Sequence, residues 1–446
     1  MTVAARPRLD LSRIASAPGR TLLRTFPSLH VPNYRLYVAS QLLTNPLGWM
    51  QRIAQDWLIL QLSGNVALVG LTVTLQMGPM LLFGLWGGML ADRYDKRKIL
   101  MVTQSLFAAT ALGLGLLVVT GLVQPWHILV SAFVLGLAIV ADNPARQAFV
   151  VEVAGGDNLR NAISLNSTVF QMGGLVGPAL AGVSIAAIGE GPSFLLNSAA
   201  GVVAVSLLAR MDPSRLRAAP RVPRDRGQLR AGLQHILDRP VILWTIVLIG
   251  FVALTGINLA TVLTAYADRV FGSGAGGYGL LSASLATGAV FGSVASTRRV
   301  RVGLRQLVYL ALGVGLLQLA AALTGAQVLF ALVLVAVGAV TLLYLTGGNT
   351  LIQTTVDPQM RGRVMAVYVM VLFGAQAASG TLIGFVADHW GAQAAMLATA
   401  SGPLLGALVV GSLLAHRRRL RPVVILHDRP GRGFLYVQPR DLHRAA

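Results

Sequence analysis

Twelve long apolar runs, at roughly 36–61, 66–91, 98–121, 127–150, 162–188, 193–210, 241–266, 278–297, 304–324, 327–351, 364–387 and 392–415, leave this 446-residue chain few ways to fold. Nearly all reach the about 20 residues that cross a bilayer as helix. Backbone groups in lipid must be satisfied internally, and the runs are continuous rather than alternating, so helices are expected rather than a barrel. With 55% hydrophobic and 12% charged residues, what lies between the runs cannot make a sizeable soluble domain. The absence of cysteine excludes disulfides, thiolate metal sites and thiol chemistry.

A net charge of +20 could signal nucleic acid, but the placement of the charge says otherwise. Of the 36 Lys and Arg residues, all except Arg52 and Arg269 fall in the two tails, in alternate connections after the second, fourth, sixth, eighth and tenth runs, or in the run ends that adjoin them. That is the positive-inside pattern. It predicts a multi-pass protein of the plasma (inner) membrane with both termini cytoplasmic, attracted to anionic lipid head groups and with no nucleic-acid partner. The divisions expected are a tail at 1–31, a six-helix half at 32–211, an arginine- and proline-rich linker at 212–239, a second six-helix half at 240–415, and a basic tail at 416–446. The fold class is thus all-α integral membrane, twelve transmembrane helices in two pseudo-symmetric halves. A weak repeat supports the division: Asp157-Asn158-Leu159-Arg160 is answered by Asp357-Pro358-Gln359-Met360-Arg361, and Gly288 and Gly292 before Arg298 and Arg299 echo Gly88 before Asp92.

The connection after the second run, Gly84-Leu85-Trp86-Gly87-Gly88-Met89-Leu90-Ala91-Asp92-Arg93-Tyr94-Asp95-Lys96-Arg97-Lys98, places a glycine-rich helix face before a burst of charge. Small residues let membrane helices approach closely. The stretch resembles the loop between helices 2 and 3 of the major facilitator superfamily, through Gly88, Asp92, Arg93, Arg97 and Lys98. Asp95 stands where the usual glycine would be, as in the branch that includes enterobactin and macrolide exporters. Asn33-Tyr34-Arg35-Leu36-Tyr37, Trp49-Met50-Gln51-Arg52 and Pro144-Ala145-Arg146-Gln147-Ala148 resemble the same enterobactin-exporter and drug:proton antiporter branch, and the likeness covers roughly residues 32–415.

This resemblance implies a cytoplasmic gate of Gly88, Asp92, Arg93, Arg97, Asp142, Arg146 and Glu152, completed near Gly362. In the fifth run, Gly173, Gly177, Pro178 and Gly182 can be read as a kinked helix with small-residue packing. They also resemble the glycine-proline motif that exporters of the superfamily carry in helix 5. Many drug exporters of the superfamily have an arginine in the middle of helix 4, but Ser131-Ala132-Phe133-Val134-Leu135-Gly136 has none.

Two readings stay open for Arg52 and Asp56, which lie four apart on one helix face. They are proton-coupling candidates, because ionisable groups within a span usually face a polar interior. Equally, they suit a structural ion pair beside Trp49 and Trp57 near the outer mouth. Gln41, Asn45, Gln76, Gln171, Asn258, Tyr344, Asn349 and Gln376 are candidates for the substrate cavity, or else interhelical hydrogen-bond partners. Scarce embedded charge predicts a neutral, amphipathic or mildly cationic small-molecule substrate. No phosphate-binding loop and no nucleophile with its base is visible, so neither an enzyme nor a cofactor is expected. The expected function is a monomeric secondary active transporter that exports a drug, siderophore or secondary metabolite by alternating access, with the proton as coupling ion. An uptake permease or a lipid flippase of the same fold is the alternative.

Overall fold

Prolines at the start and glycines past the end punctuate the helices. Pro32, Pro125 and Pro240 occupy first turns, where a missing N–H leaves no bond unmade. Gly64, at φ 63°, turns the chain between two spans in a conformation that a side chain would strain. The computed structural model describes residues 27–155, 159–216, 228–297, 302–357, 360–417, 420–424 and 435–439. Its helices are α1 (Pro32–Ser63), α2 (Val66–Arg93), α3 (Lys96–Val119), α4 (Pro125–Ala154), α5 (Leu159–Ile188), α6 (Glu190–Ala209), α7 (Gln228–Leu237), α8 (Pro240–Thr255), α9 (Ala260–Ala265), α10 (Gly274–Thr297), α11 (Leu304–Ala322), α12 (Gln327–Thr355) and α13 (Arg361–Arg417).

Among the described residues, ten helical runs are long and apolar enough to cross a membrane. α1 falls outside that set because Gln41, Asn45, Gln51, Arg52, Gln55 and Asp56 lower its hydropathy. α13 counts once but turns at Gly391, where φ is 88°. Its two arms match the runs expected at 364–387 and 392–415. With α1 and both arms, the twelve apolar runs all appear as helix.

Three features differ from expectation. The seventh run, read as one helix over 241–266, is broken: α8 ends at Thr255, α9 begins at Ala260, and a π-helical turn, Tyr266–Val270, follows. Gln318 on α11 donates a 2.6 Å hydrogen bond to the Gly256 carbonyl inside the break. An interrupted helix survives in lipid only where such partners take up the freed backbone groups. The stretch read as a linker contains α7, which buries Ile236 and exposes Leu233 and Leu237. The basic tail carries a small antiparallel hairpin, β1 (Leu420–Val424) with β2 (Leu435–Pro439), in register Leu420↔Pro439 to Val424↔Leu435. Asp157, Asn158, Pro358, Gln359, Arg298 and Arg299 of the sequence repeat lie outside the described residues.

The chain groups into two compact units, residues 1–55 with 82–223, and 56–81 with 224–446. The far ends of α1 and α2, away from the chain termini, therefore group with the second unit. In the first, Tyr34, Tyr37, Leu100, Phe149, Leu165, Val169 and Leu208 share a buried cluster. Two buried polar residues beside it are paired. The Tyr34 hydroxyl donates to the Ala162 carbonyl at 2.8 Å, and Asn33 exchanges two hydrogen bonds with the backbone of Asp212. Asp212 lies past the end of α6, where the Ser214 hydroxyl and backbone N–H hold its carboxyl below the ordinary range. In the second unit, Ile242, Ile249, Val252, Leu307, Ile352 and Val410 anchor the core.

The repeat inferred from sequence has a structural counterpart at two glycines. A methyl group on Gly87 of α2 would overlap the Val140 carbonyl of α4, and one on Gly288 of α10 would overlap the Val335 carbonyl of α12. Second and fourth spans of each half thus meet backbone to backbone.

Candidate functional site

Within the first unit, the charged loop after α2 is organised by helix ends. Asp95 is the N-cap of α3, its carboxylate accepting from the N–H groups of Arg97 at 2.9 Å and Lys98 at 3.3 Å. This gives a physical reason for aspartate at this position. Arg97 donates to the carbonyls of Leu208 (2.7 Å) and Ala209 (2.5 Å), at the C-terminus of α6. A cation suits the negative end of the helix dipole. Asp92 and Arg93, on the last turn of α2, are exposed. Gly88 is half-buried, and the close approach to α4 is made one position earlier, by Gly87.

Asp142 and Arg146 pair as their spacing predicts. The Arg146 guanidinium donates to both carboxylate oxygens, Nε to Oδ2 at 2.8 Å and Nη2 to Oδ1 at 2.9 Å, and Thr103 of α3 adds a 2.7 Å bond to Oδ1. Glu152 pairs with Lys96 at 2.7 Å. Both carboxylates are buried, and the bonds from Thr103 to Asp142 and from Lys96 to Glu152 tie α3 to α4 with little competition from water. Removing one partner of a buried pair strands the other charge, at about 3–5 kcal/mol. Arg146→Met is therefore expected to lower stability on that scale, read as the loss of folded protein during heating in detergent. Arg146→Met with Asp142→Leu should recover most of it.

The helix-5 motif acts through contact. A methyl at Gly173 would lie 2.8 Å from the Asn45 Cβ, and one at Gly177 would overlap the Trp49 Cβ and crowd the Pro46 carbonyl. Gly173 and Gly177 therefore seat α5 against the proline-bearing middle of α1. Pro178 and Gly182 are buried, and α5 stays helical through Pro178.

Asp56 is 1% exposed, and its Oδ2 accepts a 3.1 Å hydrogen bond from the hydroxyl of Tyr278 on α10, within the second unit. The Arg52 guanidinium carbon lies 5.0 Å from the Trp49 ring centroid, a cation–π distance. Sequence reasoning missed Tyr278, because its only signal is a lone tyrosine near a helix start.

Of the cavity candidates, Gln41 and Asn45 meet: the Asn45 amide donates to Gln41 Oε1 at 3.2 Å. Gln76 is buried and Gln376 half-buried. Asn258 sits buried in the break of the seventh span. Tyr344 is wholly buried among Ile246, Ile249 and Leu307, and Asn349 accepts from the Gln353 amide. The side chain of Gln171 lies outside the described residues.

A second charged site, also missed, sits at the far end of the second unit. Arg269, in the π-helical turn, donates through Nη2 to the Gly64 carbonyl (2.8 Å) and to Asp388 Oδ1 (3.0 Å), and through Nη1 to the Ala387 carbonyl (3.4 Å). Asp388 Oδ1 also accepts from the Val66 N–H at 3.4 Å. Below them α2 and the first arm of α13 are in close contact. A methyl on Gly70 would overlap the Gly380 carbonyl, Thr74 donates to the Ala377 carbonyl at 2.5 Å, and Val73 and Met77 bury against Ala377.

Comparison with known proteins agrees with this architecture. Residues 24–428 match the family described as transmembrane secretion effector. The enterobactin exporter EntS of Salmonella typhimurium is 27% identical over 376 residues, covering 78% of this chain and 82% of that one. The staphyloferrin A transporter of Staphylococcus aureus is 23% identical over 341 residues, covering 72% and 81%. The inward-facing crystal structure of a bacterial homolog of the human lysosomal transporter Spinster superposes with a TM-score of 0.67 at 16% identity, covering 86% of this chain and 97% of that one. The protein is a multi-pass secondary transporter for small molecules, and its chain belongs to the transmembrane secretion effector family of the major facilitator superfamily.

Proposed function

We propose that the protein exports a small organic molecule, a drug, siderophore or secondary metabolite, across the plasma membrane by alternating access, with protons moving inward as the driving force. The observation that carries the coupling is the buried Asp56 carboxylate held by the Tyr278 hydroxyl. An ionisable group buried within a span marks a candidate path for protons or substrate. The direction of transport is supported by the likeness to the enterobactin exporter and by the Gly173 and Gly177 contact with α1. The Arg269 guanidinium is already engaged by Gly64, Ala387 and Asp388, so positive charge open to a substrate is scarce. That favours a neutral, amphipathic or mildly cationic substrate over a polyanion.

The test is proton movement in inverted membrane vesicles energised to an acidic interior, as drugs, dyes and siderophores are added one at a time. Compound-dependent proton release that requires Asp56 supports the reading. Silence towards every compound removes proton antiport and leaves uptake or lipid flipping for the fold.

Asp92, Arg93, Arg97, Asp142, Arg146 and Glu152, with Gly88, act in this reading as the cytoplasmic gate. The buried pairs at Asp142 and Glu152 would form its fixed frame, and exposed Asp92 its moving contact. Asp92→Asn is expected to lower turnover while leaving substrate affinity within about twofold, since a conformational equilibrium is altered rather than a binding contact. Initial rates of vesicle transport across substrate concentrations decide this; an unchanged maximal rate would remove Asp92 from the gate.

A further inference from the structure

We infer that Arg269 and Asp388 form a clasp at the face opposite the chain termini, and that its release limits the opening of the seam between α2 and α13. This goes beyond the export reading and depends neither on the direction of transport nor on the coupling ion.

The argument begins with an oddity of the sequence. Arg269 is the only Lys or Arg in the connections after the first, third, fifth, seventh, ninth and eleventh runs. In the structure Arg269 makes three contacts at one point, to the Gly64 and Ala387 carbonyls and to Asp388. Gly64 ends α1, and Val66, whose N–H donates to Asp388, begins α2. One guanidinium and one carboxylate therefore grip the two-residue turn between α1 and α2, and hold it to the π-helical turn and to α13. The rest of the seam, from Gly70 with Gly380 to Met77 with Ala377, is made of small and apolar residues, with the Thr74 and Thr381 hydroxyls bonded across it at 2.8 Å.

α1 and α2 are each continuous helices divided between the two compact units. Their inner parts are fastened in the first unit, α1 through Tyr34 to Ala162 and α2 through Gly87 against Val140. Their far ends are fastened in the second by the clasp and the seam. A rigid helix fastened in two bodies must leave one of them when the bodies move apart. The seam offers close packing, which weakens steeply with separation, whereas the clasp offers charge-assisted hydrogen bonds, partly exposed at 32% for Arg269 and 23% for Asp388. Water can replace them, so the clasp is reversible.

The absence of cysteine makes the test direct. Ala377→Cys puts one thiol in the seam, where the native side chain is 6% exposed. Its reaction with a membrane-impermeant maleimide, offered from the face opposite the termini, reports opening without substrate or gradient. Arg269→Gln and Asp388→Asn should each raise the labelling rate about tenfold, the scale of a charged hydrogen bond that partly survives in water. Arg269→Lys should fall between. Asp388→Asn keeps an oxygen for the Val66 N–H, so it removes charge with little loss of local structure. A thiol at exposed Leu122 should label at one rate in every background. Equal labelling of residue 377 in the parent and in Asp388→Asn would overturn the clasp, whatever proton measurements say about export.

Discussion

An Asp56→Asn protein is expected to insert and fold at parental levels yet lose at least about 90% of its substrate-dependent proton movement. The side chain is 1% exposed, and its Oδ2 accepts from the Tyr278 hydroxyl at 3.1 Å. Asparagine keeps the shape and an oxygen for that hydroxyl to donate to, so the hydrogen bond survives while the titratable group goes. An alanine in its place would leave the Tyr278 hydroxyl with no acceptor at this position, and burying a polar group so costs about 1–3 kcal/mol. The comparison separates chemistry from architecture. If the asparagine variant folds but does not couple, Asp56 carries protons. If it couples normally while the alanine variant is unstable, the residue belongs to the structural reading left open by its spacing from Arg52. The readouts are vesicle proton flux for coupling and a thermal midpoint in detergent for folding.

A bulky side chain at Gly288 is expected to prevent folding. A Cβ there would overlap the Val335 carbonyl oxygen, and the reciprocal position, Gly338, would overlap the Leu285 carbonyl. The obstacle is backbone on both sides, so no rotamer change relieves it. Even alanine forces α10 and α12 apart over the length of their contact, at about 1–3 kcal/mol for overpacking, and leucine should prevent accumulation of folded protein. Gly276, where a Cβ would meet open space, is the control and should accept alanine with little change. Thermal unfolding of the three variants in one detergent decides the ranking. The same substitution at Gly87, against Val140, should behave as Gly288 does.

Hydropathy and charge placement were enough to read the membrane class and the number of apolar runs, and the resemblance of a few motifs gave the family, because these depend on summed transfer free energies and on local sequence. The pair Asp142 and Arg146 was legible for a related reason: a separation of four on a helix fixes geometry without knowledge of any other element. The helix-5 glycines were recognisable as a packing motif, but their partner was not. Nothing in the composition of α1 announces that Asn45, Pro46 and Trp49 receive Gly173 and Gly177. Asp95 looked like a departure from a family pattern until its cap of α3 was seen. The break at Gly256 was hidden inside a run whose hydropathy is continuous, and only the Gln318 amide from another helix makes it tolerable.

Along the chain, then, the residues specify which segments enter the bilayer and which pairs on one helix can meet, since period and hydrophobicity are local quantities. Which helices touch is a different kind of fact. Gly70 with Gly380, Asp56 with Tyr278 and Arg269 with Asp388 are separated by more than a hundred residues each. In lipid no hydrophobic force selects among apolar faces, so the choice falls to shape and to a few buried polar atoms. These act only once the helices are side by side, and there the tertiary structure alone decides which groups become partners.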